Sequence, residues 1–352
     1  MIPVLTFGRA FVAALPEPAL LVAGDMTVAA ANGAMELLLE AAPQGRHLTS
    51  FYRASGILQA VQAALTLGET TRVEHATRAS PPRSFDVHVS PVLLGEPQLS
   101  AALLIVRDLT REQQVERMRA DFVANASHEL RTPLATLAGF IETMQGAARH
   151  DVQVRDTFLA LMKTQTDRMS RLTDDLLSLS RIEISEHVRP TTTVDVSALL
   201  HQAASALAAS AEAAGCAISL EVEPGLHVEG DADQLLQVFQ NLIENAVKYA
   251  SAGKHVDILA KRTGGATEIT VRDFGAGIAP HHIPRLTERF YRVDVQESRT
   301  RGGTGLGLAI VKHIINRHRG KLAVMSALGK GSSFTVQLPN PQTTQLQQVE
   351  PS

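Results

Sequence analysis

Two runs of apolar residues with a seven-residue repeat constrain this chain more than any other feature of its sequence. The first run follows residue 129 at spacings of four and three: Leu130, Leu134, Leu137, Ile141 and Met144. The second combines two interleaved sets: Met162, Met169 and Leu176 with Gln165, Leu172 and Leu179. A polar break from about Gly146 to Asp151 separates the runs and predicts an antiparallel helical hairpin. Such a hairpin cannot bury its apolar faces alone, so we expect two copies to form a four-helix bundle, which makes the protein a homodimer.

Composition limits the remaining possibilities. The chain has 352 residues, too many for one ordinary core, so two or three domains are expected. A formal net charge of −3 gives no basic field for nucleic acid, and 4% aromatic residues without tryptophan argue against a surface that stacks nucleotide bases. The single cysteine, Cys216, excludes an internal disulfide framework and suits a buried structural thiol.

The most apolar stretch, Ala10 to Met35, is too interrupted to cross a bilayer. A spanning helix needs about 20 consecutive apolar residues. Pro16, Pro18 and Gly24 cut the stretch into short pieces that we interpret as strands and turns. We therefore expect a chain without a membrane span, either cytoplasmic or the cytoplasmic part of a membrane sensor whose anchor is missing. The sequence leaves open whether the chain binds a membrane-associated partner.

Residues 1–110 mix short strand-forming and helix-forming runs. The predicted strands are Ala19–Ala23, Thr71–Thr77, Phe85–Pro91 and Leu99–Val106, and the predicted helices are Ala34–Glu40 and Ile57–Leu67. Because the late strands are adjacent in the sequence, their sheet should be antiparallel. Together with residues 15–22 and 106–110, this pattern resembles a PAS sensor domain. Three isolated histidines, His47, His75 and His88, lack the spacing of haem or metal ligands, so no cofactor is assigned here.

One histidine precedes the first apolar run. On its own, a helical histidine such as His128 is usually a surface residue. The string Ser127-His-Glu-Leu-Arg-Thr-Pro-Leu134, however, resembles the phospho-acceptor box of sensor histidine kinases at eight consecutive positions. The resemblance implies that His128 attacks the γ-phosphate of ATP and then yields the phosphoryl group to an aspartate of a response regulator receiver domain. It also implies that Glu129 holds the imidazole and takes up its proton, and that Thr132 orients water for phosphatase activity.

The apolar stripe changes phase close to His128. The charged connector that starts near residue 111 carries apolar residues at spacings of three and four: Val115, Met118 and Phe122. These project a seam through residue 129, whereas the later seam runs through Leu130. Pro133 adds a missing backbone donor. Two interpretations stay open: an ordinary helix irregularity, or a two-state joint that changes access to His128.

The C-terminal part has a different pattern. After a linker at 186–193, it predicts a helix through about Ala213, strands near 217–222 and 226–228, a long helix at 231–249, strands at 255–262 and 266–273, a helix after Gly305, and strands at 321–326 and 332–338. This is an α/β sandwich, and its motifs resemble, in order, those of the ATP-binding domain of the gyrase, Hsp90, histidine kinase and MutL group. Residues 341–352 are polar, which favours a disordered tail.

The long predicted helix places Asn241, Asn245 and Lys248 on one face. Amide oxygens suit Mg²⁺, and Lys248 can meet a phosphate as a point charge. The resemblance implies that Asn245 is the chief Mg²⁺ ligand, that Asn241 assists, and that Tyr249 belongs to the ATP site. Related ATPases that hydrolyse ATP carry a glutamate base at the position of Asn241, so the amide argues for phosphoryl transfer rather than hydrolysis.

Three further motifs complete the expected ATP site. The string Asp273-Phe-Gly-Ala-Gly-Ile278 resembles an adenine-binding motif, in which Asp273 accepts a hydrogen bond from the base and the neighbouring contacts are Gly275, Gly277 and Ile278. Arg289-Phe-Tyr-Arg292 resembles the F-box, which makes Arg292 a phosphate contact. A glycine loop that opens a helix offers backbone N–H groups to phosphate; its residues are Gly303, Thr304, Gly305, Leu306, Gly307 and Leu308. Polar residues 293–301 predict a lid over the nucleotide.

These patterns together predict a multidomain α+β protein. A PAS-like α+β sensor occupies residues 1–110, the connector and an antiparallel four-helix-bundle dimerisation and phosphotransfer domain occupy 111–185, and the catalytic ATP-binding α/β sandwich occupies 194–340. The resemblance implies ATP and Mg²⁺ as cofactors, and residues 282–294 with 303–319 look most like phosphate-regulon sensor kinases. Alternatives are a sensor kinase for another stimulus and a non-catalytic adaptor that binds a response regulator.

Overall fold

The computed structural model describes residues 2–77, 82–93, 100–146, 149, 151–185, 187–250, 254–294 and 303–340. Contacts divide the chain into two compact units, Met1–Val123 and Ala124–Ser352. The predicted tail at 341–352 lies outside the described residues, as do parts of the predicted turn after Gly146. Of the predicted lid, only Val293 and Asp294 are described.

An antiparallel five-stranded sheet is the centre of the first unit. Its elements are α1 (Ile2–Ala14), β1 (Ala19–Ala23), β2 (Val28–Ala31), α2 (Gly33–Leu39), α3 (Ser55–Leu67), β3 (Thr71–Ala76), β4 (Ser84–Leu93) and β5 (Ser100–Asp108). The strand order is β2-β1-β5-β4-β3, which confirms the predicted antiparallel α+β fold. The interpretation of residues 10–35 as strands and turns alone was wrong. The apolar run before Pro16 forms the end of α1 because nothing interrupts it there.

The two faces of this sheet are covered by different helices. The main core lies under α2 and α3, where Met35, Ile57 and Val61 pack with Leu20 and Leu104 of the central strands. On the opposite face, Val12 of α1 joins a smaller cluster formed by the following sheet residues: Ala19, Leu21, Ala30 and Ala101. Because successive side chains of β1 point to opposite faces of the sheet, this strand contributes residues to both clusters.

A single buried amide fixes the start of this unit. Asn32 accepts hydrogen bonds from the backbone N–H groups of Ala19 at 3.0 Å and Met35 at 2.9 Å. Its Nδ2 donates to the carbonyl oxygens of Leu15 at 2.9 Å and Glu17 at 2.7 Å. Asn32 thus caps α2 and ties the segment after α1 to the sheet, with both donors and its oxygen satisfied.

Two long helices, α4 (Thr110–Gln145) and α5 (Val152–Ser185), correspond to the predicted hairpin. Phe140 stacks on Phe158 with ring centroids 5.0 Å apart. Pro133 lies inside α4, which continues through it. Leu134 and Ile141 are 52% and 41% exposed, so much of the first apolar seam is uncovered in a single chain. No helix among the described residues is both long and apolar enough to span a bilayer.

The rest of the second unit is the predicted α/β sandwich. Its elements are β6 (Thr193–Asp195), α6 (Val196–Ala213), β7 (Ala217–Val222), β8 (His227–Glu229), α7 (Ala232–Tyr249), β9 (His255–Thr263), β10 (Ala266–Asp273), α8 (Gly307–Arg317), β11 (Lys321–Ala327) and β12 (Gly331–Pro339). The main sheet has the order β11-β12-β10-β9-β7, with only β7 and β9 parallel, and β6 pairs with β8. Sequence patterns missed β6, because three residues are too few to show a period.

Part of the second apolar run is already covered within one chain. Leu172 and Leu179, which the sequence predicts for the bundle seam, are 3% and 1% exposed. Helix α5 packs against α8 of the sandwich, where Glu183 lies 3.9 Å from His313. Contacts therefore join the hairpin and the sandwich into one compact unit.

A buried histidine joins the two helices of the sandwich that carry the predicted site. His318, after the end of α8, is 1% exposed. Its Nδ1 lies 2.7 Å from the carbonyl oxygen of Ile314, and its Nε2 accepts from the backbone N–H of Asp231 at 3.0 Å. Because a carbonyl can only accept, the proton is on Nδ1 and the ring is neutral. Asp231 in turn caps α7 by accepting from Gln234 N at 3.2 Å.

We expect His318→Gln to flatten the dependence of stability on pH below neutrality. Burial lowers the pKa of His318 from its ordinary value of 6.5, so the unfolded chain takes up a proton before the folded one as the pH falls. The wild-type free energy of unfolding should therefore decrease by up to about 1.4 kcal/mol per pH unit below about pH 6.5, until the lowered pKa is reached. Urea denaturation at a series of pH values measures this slope.

The matched control is His201→Gln, which changes an exposed histidine of α6. It should keep the wild-type slope. Equal slopes for the wild type and H318Q would show that His318 is not the group that loses stability on protonation.

Candidate active site

One cavity of about 610 Å³ gathers most of the residues predicted for ATP. Its lining includes Asn241, Asn245, Lys248, Tyr249, Asp273, Gly277, Ile278, Arg292, Gly303, Thr304, Gly305, Gly307 and Leu308. Gly275 and Leu306 are neighbours of lining residues without lining the cavity themselves, and His128, Glu129 and Thr132 also lie outside the lining. Helix α5 adds three residues that the sequence analysis did not assign: Arg171, Asp174 and Asp175.

A buried carboxylate stands where β10 ends. Asp273 is 3% exposed, and its Oδ1 accepts from the backbone N–H of Gly275 at 2.9 Å. Burial raises the pKa of Asp273, while hydrogen bonds from Gly275 and Ser332 act in the opposite direction. A carboxylate in such a wall can accept a hydrogen bond from an exocyclic amine, which fits the adenine contact implied for Asp273.

Two glycines keep the loop after Asp273 against neighbouring backbone. A Cβ added to Gly275 would lie 1.9 Å from the carbonyl oxygen of Tyr249. One added to Gly277, which has φ +73°, would lie 2.0 Å from the carbonyl oxygen of Ala327. Neither position has room for a side chain, so the cavity wall depends on these two residues being glycine.

Helix α7 separates an apolar face from a polar one that lines the cavity. Its buried residues are Leu235, Val238, Phe239, Leu242, Ile243, Ala246 and Val247. The amide Nδ2 of Asn241 is buried and has no hydrogen-bond partner within the part of the chain that the structure describes. An unsatisfied amide beside the half-buried Asn245 fits a hydrated cation and phosphate, since its oxygen can bind Mg²⁺ and its nitrogen can donate to a phosphate oxygen. Lys248 lies on the same face, 2.8 Å from Glu244.

The glycine loop is held from two sides. The carbonyl oxygen of Gly305 accepts from the backbone N–H of Phe290 at 2.8 Å, and Phe290 has a left-handed φ of 63°, a conformation uncommon for an aromatic residue. Thr304 Oγ1 donates to Asp175 Oδ2 at 2.7 Å. Helix α8 starts at Gly307, so its first N–H groups belong to the cavity wall and suit an anion.

Glu129 connects the cavity with the turn of α4 at residues 128–132, which we call the acceptor turn. Its Oε2 accepts from Arg168 of α5 at 2.9 Å and from Arg292 at 3.1 Å. The side chain of Arg292 is 6% exposed, that of Arg168 14% and that of Glu129 15%. Two guanidinium groups on one carboxylate oxygen make a partly buried ionic cluster whose partners depend on one another.

His128 and Thr132, the other two predicted residues of the acceptor turn, face solvent. The imidazole of His128 is exposed, whereas the carboxylate of Glu129 beside it is bound by Arg168 and Arg292. Thr132 is exposed, and its hydroxyl donates to the carbonyl oxygen of His128 at 3.2 Å. The roles assigned to Glu129 as a base and to Thr132 in phosphatase chemistry stay predictions.

Sequence reasoning missed Asp175, Arg168 and Ser332. Asp175 and Arg168 lie on the second heptad helix, where charged residues between apolar ones predict a solvated face. Ser332 lies in a strand without any motif. The one available signal was the position of Asp175, which falls three residues after Leu172 and therefore on the same side of the helix.

Three family models match this chain. The model "Histidine kinase-, DNA gyrase B-, and HSP90-like ATPase" matches residues 230–342, which contain the cavity motifs of the sandwich. The model "His Kinase A (phospho-acceptor) domain" matches residues 118–184, and "PAS fold" matches residues 12–114.

Two curated relatives have recognisable sequences over most of the chain. Phosphate regulon sensor protein PhoR of Pseudomonas aeruginosa is 42% identical over 250 residues, which are 71% of this chain and 56% of PhoR. Sensor-like histidine kinase SenX3 of Mycolicibacterium smegmatis is 35% identical over 284 residues, 80% of this chain and 74% of SenX3. The chain thus spans between about half and three quarters of these relatives.

One solved structure resembles the chain over nearly its whole length. Histidine kinase ThkA in complex with response regulator protein TrrA has a TM-score of 0.50 and 19% sequence identity, with coverage of 94% of this chain and 97% of that one. At this identity the likeness concerns the fold, and it agrees with the predicted fold class.

Replacing Gly275 with Ala should damage the cavity wall. The added Cβ would overlap the carbonyl of Tyr249, so β10 or the end of α7 must shift, which we expect to cost about 1–3 kcal/mol of stability and to weaken nucleotide binding at least tenfold. Thermal denaturation and titration with a fluorescent ATP analogue measure the two effects.

Gly265→Ala is the control, because a Cβ there meets nothing within 4 Å and the residue precedes the same strand. Wild-type affinity in both variants would remove the loop after Asp273 from the proposed nucleotide site.

Proposed function

The chain belongs to the sensor histidine kinase family, and from this we propose that it transfers the γ-phosphoryl group of ATP to His128 and then to an aspartate of a response regulator. The observation that carries the proposal is the contact between Arg292, which lines the cavity, and Glu129, which follows the acceptor. Through this contact, a single arginine connects the nucleotide site with the acceptor turn.

The proposed chemistry uses residues that both partners can reach. A neutral imidazole nitrogen of His128 attacks the γ-phosphorus, the bond from phosphorus to the bridging oxygen of ADP breaks, and the imidazole proton passes to Glu129. An aspartate carboxylate of the regulator then attacks the phosphorus, the P–N bond breaks, and the released imidazole nitrogen takes a proton back from Glu129 to return His128. Because His128 is exposed, both the nucleotide site and a regulator can approach it.

The residues present fit Mg·ATP. We assign Asn245 as the chief protein ligand of Mg²⁺ and Asn241 as its helper, with Lys248, Arg292 and Thr304 on the phosphates. Mg²⁺ supplies charge neutralisation at the phosphate oxygens. The unsatisfied amide of Asn241 supports this assignment, since it is buried in the cavity wall without a partner among the described residues.

A second copy is proposed to cover the exposed seam of α4. Leu134 and Ile141 are 52% and 41% exposed and lie two turns apart on one face. Pairing this face with its equivalent in another chain forms the four-helix bundle and buries both copies of these side chains.

Phosphate limitation is the proposed stimulus, because the relative with 42% identity is named a phosphate regulon sensor protein. A sensor kinase for another stimulus is the second candidate, favoured by the similarity to SenX3 over a longer stretch. An adaptor without catalysis is disfavoured, since the acceptor string and the cavity motifs are both complete. Measuring phosphotransfer to a panel of response regulators separates these candidates.

His128→Gln should abolish autophosphorylation and leave nucleotide affinity unchanged. The substitution removes the nucleophile, while His128 does not line the cavity. Acid-labile label from γ-labelled ATP and equilibrium binding of an ATP analogue measure the two quantities. His201→Gln is the control and should keep both; label on H128Q at the wild-type level would place the acceptor elsewhere.

Thr132→Ala should reduce dephosphorylation of the regulator by about ten- to a hundredfold, because the hydroxyl of Thr132 is proposed to orient water. The kinase reaction should be spared, because this hydroxyl takes no part in the attack on ATP. The decay of regulator phosphate in the presence of ADP measures the first rate. Thr136→Ala is the matched control, as its hydroxyl also donates to a backbone carbonyl one turn back, at 3.0 Å. Parallel losses of both rates in T132A would indicate a structural effect instead.

A further inference from the structure

Two carboxylates of the helical hairpin reach residues that line the nucleotide cavity. Glu129 of α4 contacts Arg292 at 3.1 Å, and Asp175 of α5 accepts from Thr304 at 2.7 Å. Arg292 and Thr304 both line the cavity, one from the F-box and the other from the glycine loop. A guanidinium and a hydroxyl in such loops are the donor types that recognise phosphate oxygens.

The Asp175 carboxylate occupies an unfavourable position for a charge. Burial raises its pKa, and nearby Glu244 acts in the same direction, while Thr304 and Lys248 oppose this. Charged Asp175 is therefore held in the cavity wall at a cost that its hydrogen bond from Thr304 only partly offsets. A ligand whose anionic oxygen costs less to desolvate than the Asp175 carboxylate can therefore replace it as the acceptor for Thr304.

Other contacts hold the hairpin beside the sandwich. Ser178 donates to Gln237 at 2.9 Å, and Glu183 pairs with Arg289. Leu179 and Ile182 are 1% and 2% exposed on the same helix. Gln237 lines the cavity and Arg289 belongs to the F-box string, so these contacts hold α5 beside the nucleotide site in addition to those of Glu129 and Asp175.

We propose that the docked hairpin is an internal competitor of the nucleotide, in which the carboxylates of Glu129 and Asp175 stand in for phosphate oxygens at Arg292 and Thr304. This inference rests on the proposed ATP site. Binding of the triphosphate and docking of the hairpin then exclude each other at these two residues. Release frees Glu129 from Arg292 at the moment when the arginine engages phosphate, so nucleotide binding also prepares the residue next to His128.

The opposite arrangement is that Asp175 assists the nucleotide by acting as a Mg²⁺ ligand beside Asn241 and Asn245. Both arrangements place a carboxylate near phosphate, but they predict opposite effects of removing its charge. A competitor weakens nucleotide binding, so its removal should increase the affinity. A metal ligand strengthens nucleotide binding through Mg²⁺, so its removal should decrease the affinity.

The test is equilibrium binding of a non-hydrolysable ATP analogue and of ADP, each with Mg²⁺, to full-length Asp175→Asn, Asp175→Ala and Glu129→Gln. If docking is about nine-tenths populated, releasing it raises the apparent affinity up to about tenfold, and we expect a gain of about three- to tenfold for each variant. Because Arg292 and Thr304 are proposed phosphate contacts, the gain should be larger for the triphosphate than for ADP.

Asp167→Asn is the matched control, since it removes the same charge from α5 at an exposed residue that does not line the cavity and pairs with Lys163 at 3.3 Å. Its affinity should change by less than about twofold, because an exposed charge outside the cavity is largely screened. Circular dichroism melting curves confirm that each variant is folded.

Tighter triphosphate binding in D175N, D175A and E129Q, but not in D167N, supports competition, and an unchanged E129Q removes Glu129 from it. Unchanged or weaker binding in the Asp175 variants overturns it, and weaker binding seen only with Mg²⁺ identifies a metal ligand. Equal gains in D167N reduce the effect to net charge and also overturn it. A wild type that does not bind Mg·ATP refutes the proposed function itself, which is a different result.

Discussion

Burial of one face of α7 against the sheet is the interaction on which the ATP-binding domain depends. Each large apolar side chain on that face contributes about 1.5–3 kcal/mol when it leaves water. Because helical geometry fixes the opposite face at the same time, burying Leu242 and Val247 also orients Asn241 and Asn245 toward the cavity. The packing of the core therefore determines where the polar residues of the site lie. His318 then fixes the start of this helix to the end of α8.

Motifs confined to a few residues could be predicted from the sequence, because their geometry is local. Asp273 contacts Gly275 two residues away, and Asn241 and Asn245 are separated by one helical turn. The same holds for the strands with clear alternation and for α7, whose start follows from its cap Asp231. A local pattern is enough wherever the interaction closes within one element or turn.

Contacts between distant segments could not be predicted. Glu129 meets Arg292 across 163 positions and Arg168 across 39, and no period or composition specifies such pairs. The heptad pattern of α5 shows an apolar face without showing which surface covers it, so the burial of Leu172 and Leu179 within one chain could not be predicted. Helix α1 was missed because apolar residues before a proline suit a strand equally well.

Pro133 gives α4 an uneven mechanical profile. A proline has no N–H to donate to the carbonyl four residues earlier, which is that of Glu129. Helix α4 therefore lacks one backbone hydrogen bond of its regular series, in the turn directly after His128. A helix bends more easily where such a bond is missing, so bending of α4 is expected to centre on residues 129–133. Glu129, the proposed proton acceptor, lies at one end of this turn.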